Sequence, residues 1–341
     1  MTIDTTANPH LVVIYGATGS QGGSLVRSLI RNPNFRVRAI TRNPSSQSAQ
    51  QLSQLGVDVV QADGWKKEQI TAACQGAWAA FVNTNSEDPI WHNGSGVTEF
   101  DLGRTIIDGI IAAGSVRHLV YSSAASTSAY SKGRVRAQAA EMKSQIERYA
   151  LDSQGFETVC PIHPGFYMEL FTIKELAPLF GGFPFMPDAE GFLTLRTPQW
   201  GADGPMPVPW VAIREDFGDI VHGVLLDPHR YHATAVPVVS DPRSYPEVTE
   251  IFQSVTGQKA RYECLNSCEE FGKGIPEMED LRRLFQFGQL TNAKYFGDAD
   301  PSAALSAELK ARAVEARGGG AADQQLLSFP KWVAGNLMPA I

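Results

Sequence analysis

LVVIYGATGSQGGSLVRSLI, residues 11–30, is an apolar run of strand character that passes directly into a glycine-rich turn and then into a stretch of helical period. Gly16, Gly19 and Gly22 recur at three-residue spacing, and Leu25, Val26, Leu29 and Ile30 beyond them share one helical face. Glycines alone are weak evidence, but strand, glycines and helix in that order make the arrangement a pyrophosphate requires. The first glycine permits the tight turn, the second lets backbone approach phosphate, and the third lets helix and strand pack closely. Free N–H groups at the helix start would meet the negative charge, with Thr18, Ser20 and Gln21 in the same loop. The stretch predicts a dinucleotide-binding loop; the competing reading is a turn that holds no ligand.

Outward from this loop, short apolar runs alternate with helical patterns as far as about residue 162, which is the signature of βαβ units. Strands are expected at 11–15, 35–40, 57–61, 77–83, 116–122 and 156–162. Phe100, Ile107, Ile110 and Ile111 share a helical face, as do Met142, Ile146, Tyr149 and Ala150, while Gly56, Gly76, Gly114 and Gly155 stand where helices should end. Right-handed crossovers then give an α/β fold with a doubly wound parallel sheet of the Rossmann type. After Pro164 the pattern breaks into GFYMELF and GGFPFMP, rich in glycine, proline and aromatic residues. Beyond it the sequence suggests a strand at 192–196, a helix at 216–226, a strand near 234–239, a helix near 246–256, a flexible surface loop at 316–323 and a last helix near the C-terminus. Residues 1–163, with about 205–240 returning, are expected to form the dinucleotide-binding domain, and 164–341 a smaller C-terminal α+β lobe for a substrate or partner.

The second strand ends in RAITRNP, with no carboxylate before Asp58, where NAD-selective proteins place an acidic ribose ligand. Arg42 stands there instead. A guanidinium can pair a 2′-phosphate through two charged hydrogen bonds, Thr41 can add a third, and Arg38 can contribute less directly. The expected cofactor is therefore NADP(H), against the reading of Arg42 as a solvated surface residue.

Composition narrows the alternatives. The chain has 341 residues, 43% of them hydrophobic, enough for one large domain with an appended lobe. A net charge of -7 and the lack of any basic run argue against direct binding to nucleic acid. No apolar window suits a bilayer, and the start, MTIDTTANPH, lacks a signal-peptide pattern, so a cytoplasmic protein is expected. Cys74 and Cys160 read as reduced core thiols, and Cys264 and Cys268 as structural, at a spacing that would share one helical face. His222, His229 and His232 lack the carboxylate arrangement of a hydrolytic zinc site, and no metal is expected. The absence of a Gly-x-Ser-x-Gly elbow excludes a serine hydrolase of that kind.

GATGSQGG, TRNP, FVNTNS, LVYSSA, EMKSQIERY and MPDAEGFLTLRTP, in this order across about residues 11–290, resemble the NmrA-like branch of the atypical short-chain dehydrogenase/reductases. The resemblance implies a Rossmann domain beside a smaller lobe, and either reduction of quinones, enones or related molecules or a non-catalytic NADP-sensing role with a regulatory protein partner, in which case a nuclear location also fits. It implies that Asp63 lies near the adenine, that Asn83 and Thr84 line the nicotinamide half, that Ser122 ends the fifth strand beside Ser123, and that Pro164, Phe166 and Tyr167 pass the nicotinamide face. Lys143 aligns with the lysine of the reductases' Tyr-x-x-x-Lys pair, whose ammonium bonds the nicotinamide ribose, but Ala139 stands where the tyrosine would be. That loss removes the usual proton donor, worth about 10²- to 10⁴-fold in rate. Tyr167, His163 and Tyr130 are the substitute candidates, and the aromatic stretch 165–185 is expected to cover a substrate pocket.

Overall fold

The computed structural model describes residues 8–338 apart from 93 and 95; residues 1–7, part of the stretch MTIDTTANPH weighed above as a signal peptide, lie outside it. Alternate side chains of the first strand enter different cores, Val12 and Ile14 on one face of the sheet and Leu11 and Val13 on the other. A strand buried on both faces reads as continuous apolar sequence, as LVVIY does. The first half runs β1 (His10–Tyr15), α1 (Ser20–Leu29), β2 (Phe35–Thr41), α2 (Gln47–Gln54), β3 (Asp58–Gln61), α3 (Lys67–Ala73), β4 (Ala79–Val82), α4 (Glu99–Ala113), β5 (His118–Ser122), α5 (Thr127–Tyr130), α6 (Gln138–Asp152) and β6 (Thr158–Pro164). The second half adds β7 (Phe166–Tyr167), β8 (Leu193–Pro198), β9 (Trp210–Val211), α7 (Gly218–Leu225), β10 (Val236–Val238), α8 (Tyr245–Thr256), β11 (Ala260–Leu265), α9 (Glu279–Thr291), α10 (Ala304–Ala316) and α11 (Phe329–Asn336).

Seven strands form one parallel sheet in the order β10-β6-β5-β4-β1-β2-β3, the doubly wound Rossmann arrangement read from the sequence. The chain winds one way from β1 to β3 and the other way from β4, so the switch point lies between β1 and β4. Helices α1, α7 and α10 cover one face through Leu25, Ile220 and Leu309, and α3, α4 and α6 cover the other through Ile70, Ile107 and Ile146. Gly114 ends α4 with a φ of 69°, as its position suggests, whereas Gly155 follows the end of α6 and instead makes room for Ile111. No helix among the described residues is long and apolar enough to cross a membrane.

A third core belongs to the C-terminal elements, where β8 pairs with β11 and β7 with β9 around Phe171, Phe183, Trp200, Trp210, Phe252 and Phe285. The amides of Gln138 and Ala139 that begin α6 are capped from α9, both bonding Asp280 at 2.7 Å. The 316–323 segment is not simply a surface loop. Arg317 is buried and pairs with Asp219, while Lys310 and Ser240 bond the buried Asp216 carboxylate at 2.5 Å each. Cys264 lies on β11 and Cys268 in a short helical turn, so the two do not share a helical face.

Candidate functional site

The sequence builds the site at the carboxyl ends of β1 and β4. Gly16 turns the chain at a φ of 84°, and a Cβ there would stand 2.9 Å from the Asn83 carbonyl oxygen. A Cβ at Gly22 would strike the Gly16 carbonyl and come within 2.7 Å of Ala17 Cα, so α1 can approach the loop only with glycine there. Gly19 differs, because its Cβ would have one neighbour in the protein, Gly16 O at 3.3 Å. The first α-helical bond runs from Gly23 N to Gly19 O, which leaves the amides of Ser20, Gln21 and Gly22 without intrahelical partners. Gln21 Oε1 and Ser122 Oγ are buried and make no hydrogen bond within the protein. An open glycine cradle at a positive helix terminus, with orphaned polar atoms beside it, fits an anionic dinucleotide.

Lys143 reaches this switch point from α6. Its Nζ donates to Thr84 O at 2.9 Å, to Thr84 Oγ1 at 3.3 Å and to Asn83 Oδ1 at 3.4 Å, and lies 3.1 Å from Glu99 Oε1. Glu99, absent from the sequence reading, is the first residue of α4, is only 3% exposed, and also accepts a 2.5 Å bond from the Thr84 hydroxyl. The helix N-terminus favours a carboxylate at that position. Burial, then the Glu99 charge, push the neighbouring Tyr121 phenol well above its ordinary value.

Tyr167 closes the other side, its hydroxyl accepting a 2.5 Å bond from Gln21 Nε2 in the glycine loop. Burial raises Tyr167 to about 12, so the phenol keeps its proton at neutral pH. Farther out, Arg42, Gln61, Asp63, Lys66 and Gln69 line a cavity of about 480 Å³. Arg42 is 68% exposed and lies 3.5 Å from Asp88, and Lys66 is a second cation that the sequence reading passed over.

Several expected roles do not follow from the observed positions. Phe166 is buried among Trp200, Trp210 and Tyr295, with ring centroids 5.0 to 5.8 Å away, and its ring belongs to the lobe core. Phe171, Phe180 and Phe183 are core as well, so these rings of the aromatic stretch pack within the lobe. Pro164 ends β6 opposite Val238. His163 is buried, with Nε2 2.9 Å from Glu147 of α6 and its other ring nitrogen, Nδ1, buried without a hydrogen-bond partner. The Thr41 hydroxyl is taken up by the following turn, accepting from Asn43 N at 3.2 Å. Arg38 binds Asp58 and the carbonyls of Ala73 and Gln75, which take up its guanidinium. Tyr130 is 39% exposed and packs by Gly297.

A parallel doubly wound sheet with a glycine loop at its switch point defines an α/β protein of the Rossmann class. More narrowly, the chain belongs to the NmrA-like family, whose model matches residues 8–316. It is 59% identical to an NmrA-like family domain-containing oxidoreductase of Aspergillus campestris over 97% of this chain and 98% of that protein. A second such oxidoreductase, from Aspergillus versicolor, is 48% identical over 99% and 100% of the two chains. Among solved structures, NmrA, a negative transcriptional regulator in complex with NADP, matches with a TM-score of 0.71 at 19% identity, covering 96% of this chain and 95% of its own. An NADPH-dependent quinone oxidoreductase of Escherichia coli in complex with NADPH matches with a TM-score of 0.64 at 20% identity, covering 95% and 99%.

Proposed function

We propose that this protein is an NADPH-dependent reductase of a small, hydrophobic, conjugated acceptor such as a quinone, enone or imine. Residues 8–163, with about 205–240 and helix α10, which packs on the same sheet, form its cofactor-binding unit, and the remaining described C-terminal residues its lobe for substrate. The observation that carries the reading is that both strands at the switch point are furnished, the end of β4 with Lys143 held by Thr84 and Asn83, and the glycine loop after β1 with the Tyr167 hydroxyl bonded to Gln21. The relatives at 59% and 48% identity are named oxidoreductases, which supports turnover.

Bound there, the nicotinamide dinucleotide would supply the hydride. The loop amides of Ser20, Gln21 and Gly22 hold its pyrophosphate, Arg42 and Lys66 favour a 2′-phosphate, and Asp63 borders the adenine side. Lys143, fixed by Thr84, Asn83 and Glu99, holds a ribose hydroxyl. With Ala139 in place of the usual tyrosine, Tyr167 supplies the proton, because Gln21 donates to its oxygen and leaves the phenolic hydrogen free. Conjugated acceptors suit a weak acid, since delocalisation stabilises the anion formed on the substrate.

The likeness to NmrA favours a second reading, a non-catalytic NADP sensor whose C-terminal lobe binds a regulatory protein. Following NADPH oxidation against a panel of quinones, enones and imines separates the two. The reductase reading expects turnover with at least one acceptor and, for Tyr167→Phe, a large loss with enones but little with quinones. If NADPH binds at micromolar affinity or better, no acceptor is reduced, and the cofactor's redox state alters binding of a co-purifying protein, the sensor reading replaces it.

A further inference from the structure

At the amino ends of the strands, the edge opposite the glycine loop, three potential ligands come together from separate elements. His118 opens β5, Glu157 precedes β6, and His229 sits in the turn Pro228–Tyr231 between α7 and β10. One ligand atom from each lies within 4.8 Å of the others. The group is not a closed hydrogen-bonded network, because His229 Nε2 and Glu157 Oε2 stand 3.9 Å apart, beyond hydrogen-bond distance. Each member is instead held from behind. His118 Nδ1 pairs with Thr158 Oγ1 at 2.9 Å, which leaves Nε2 for a ligand. Glu157 Oε1 accepts from Arg117 Nε at 2.5 Å, which leaves Oε2 on the side of His229. The turn carrying His229 is fixed where the Cys160 thiol donates to Pro228 O at 3.2 Å. Such supporting bonds orient metal ligands in established sites.

We propose that His118, Glu157 and His229 bind a late first-row divalent cation, with zinc as the reference ion. Two imidazole nitrogens and one carboxylate oxygen suit that class rather than calcium or magnesium, which prefer all-oxygen shells. Tetrahedral zinc at about 2.0–2.2 Å from each ligand needs ligand atoms roughly 3.3–3.6 Å apart. His229 and Glu157 are exposed, at 61% and 41%, and can make that closure of about 1 Å while buried His118 stays in place. The ion would clasp β5, β6 and the α7–β10 turn, and water would complete its shell. Because the cluster lies at the opposite edge of the sheet, it is independent of the reductase reading.

The test uses the tag-free full chain, stripped with EDTA and titrated with zinc chloride by calorimetry. One saturable site is expected, weakened about tenfold or more by His229→Ala and by Glu157→Gln, both surface changes that spare the fold. Zinc at about a hundred times its dissociation constant should raise the melting temperature by about 4 °C, and NADPH affinity should not change. Trp78 gives a local signal, since its ring lies 4.7 Å from that of His118, and bound copper(II) should quench its emission in the parent protein but not in Trp78→Phe. Failure to see saturable binding up to about 1 mM zinc, or binding that neither surface variant weakens, overturns the proposal.

Discussion

Two glycines of the loop, three residues apart, should fail in different ways when given side chains. At Gly22 a Cβ would meet the Gly16 carbonyl and lie 2.7 Å from Ala17 Cα, where ordinary contact is about 3.5–4.0 Å. Both obstacles are backbone. Gly22→Ala must therefore push α1 away from the loop by about 1 Å, at a cost of about 1–3 kcal/mol of stability. Gly19 has φ -86° and ψ 175°, extended backbone open to any residue, and its Cβ would meet only Gly16 O at 3.3 Å. Gly19→Val should then cost about 1 kcal/mol or less, through the poorer helix cap. Its branched side chain would instead occupy the space a pyrophosphate needs beside the amides of Ser20, Gln21 and Gly22. Hydrogen bonds to a charged group contribute about 1.5–3 kcal/mol each, so losing two weakens NADPH by about 10²- to 10⁴-fold. Circular dichroism and thermal melts report the fold, and calorimetric titration reports the affinity. A folded Gly19→Val protein that binds NADPH as the parent does would refute the placement of the phosphate site.

Arg42→Ala should weaken NADPH by about 10- to 100-fold and leave NADH nearly unchanged, with Lys66→Ala acting in the same direction by less. Equal affinities for the two cofactors in the parent protein would refute the role of both cations. Glu99→Gln strips the counter-charge from a Lys143 ammonium that is only 16% exposed, and should cost about 3 kcal/mol in urea denaturation. The same change in a Lys143→Met background should cost clearly less, and an equal cost would show that the ion pair is not the cause. Glu141 on α6 accepts bonds from Ser128 N and Oγ at 2.7 Å each and from Thr127 Oγ1 at 2.8 Å; burial pushes its carboxyl up, but these donors outweigh it and hold the pKa below the ordinary 4.5. Its contribution is complete above pH 4.5 and lost as pH falls through the folded value, so the deficit of Glu141→Gln at pH 7 should close in acid; a deficit that stays constant with pH would count against the charge.

The Rossmann half was legible because its signals are local. A strand buried on both faces shows as an unbroken apolar run, and the loop glycines are fixed by backbone contacts a few residues long. Glu99 escaped because nothing in sequence links it to Lys143, 44 residues later; only the packing of α4 beside α6 brings carboxylate to ammonium. Lys66 is a milder case, since it follows Asp63 by three residues and could have been weighed as a second phosphate ligand. Phe166 is the opposite case. Aromatic richness signals apolar burial, and it cannot distinguish a ring that lines a pocket from one that stacks with Trp200 and Tyr295. For Cys264 and Cys268, spacing of helical type was outweighed by the pairing of β11 with β8, which draws Cys264 into a strand.

The cap that Asp280 places on α6 ties two regions far apart in sequence. Lys143 stands one turn beyond Gln138 and Ala139, whose amides depend on that carboxylate. Swinging α9 outward would bare two donors at the start of the helix and let its first turn fray. The position of α9 and the steadiness of the ammonium are therefore one mechanical variable, shared through a single carboxylate.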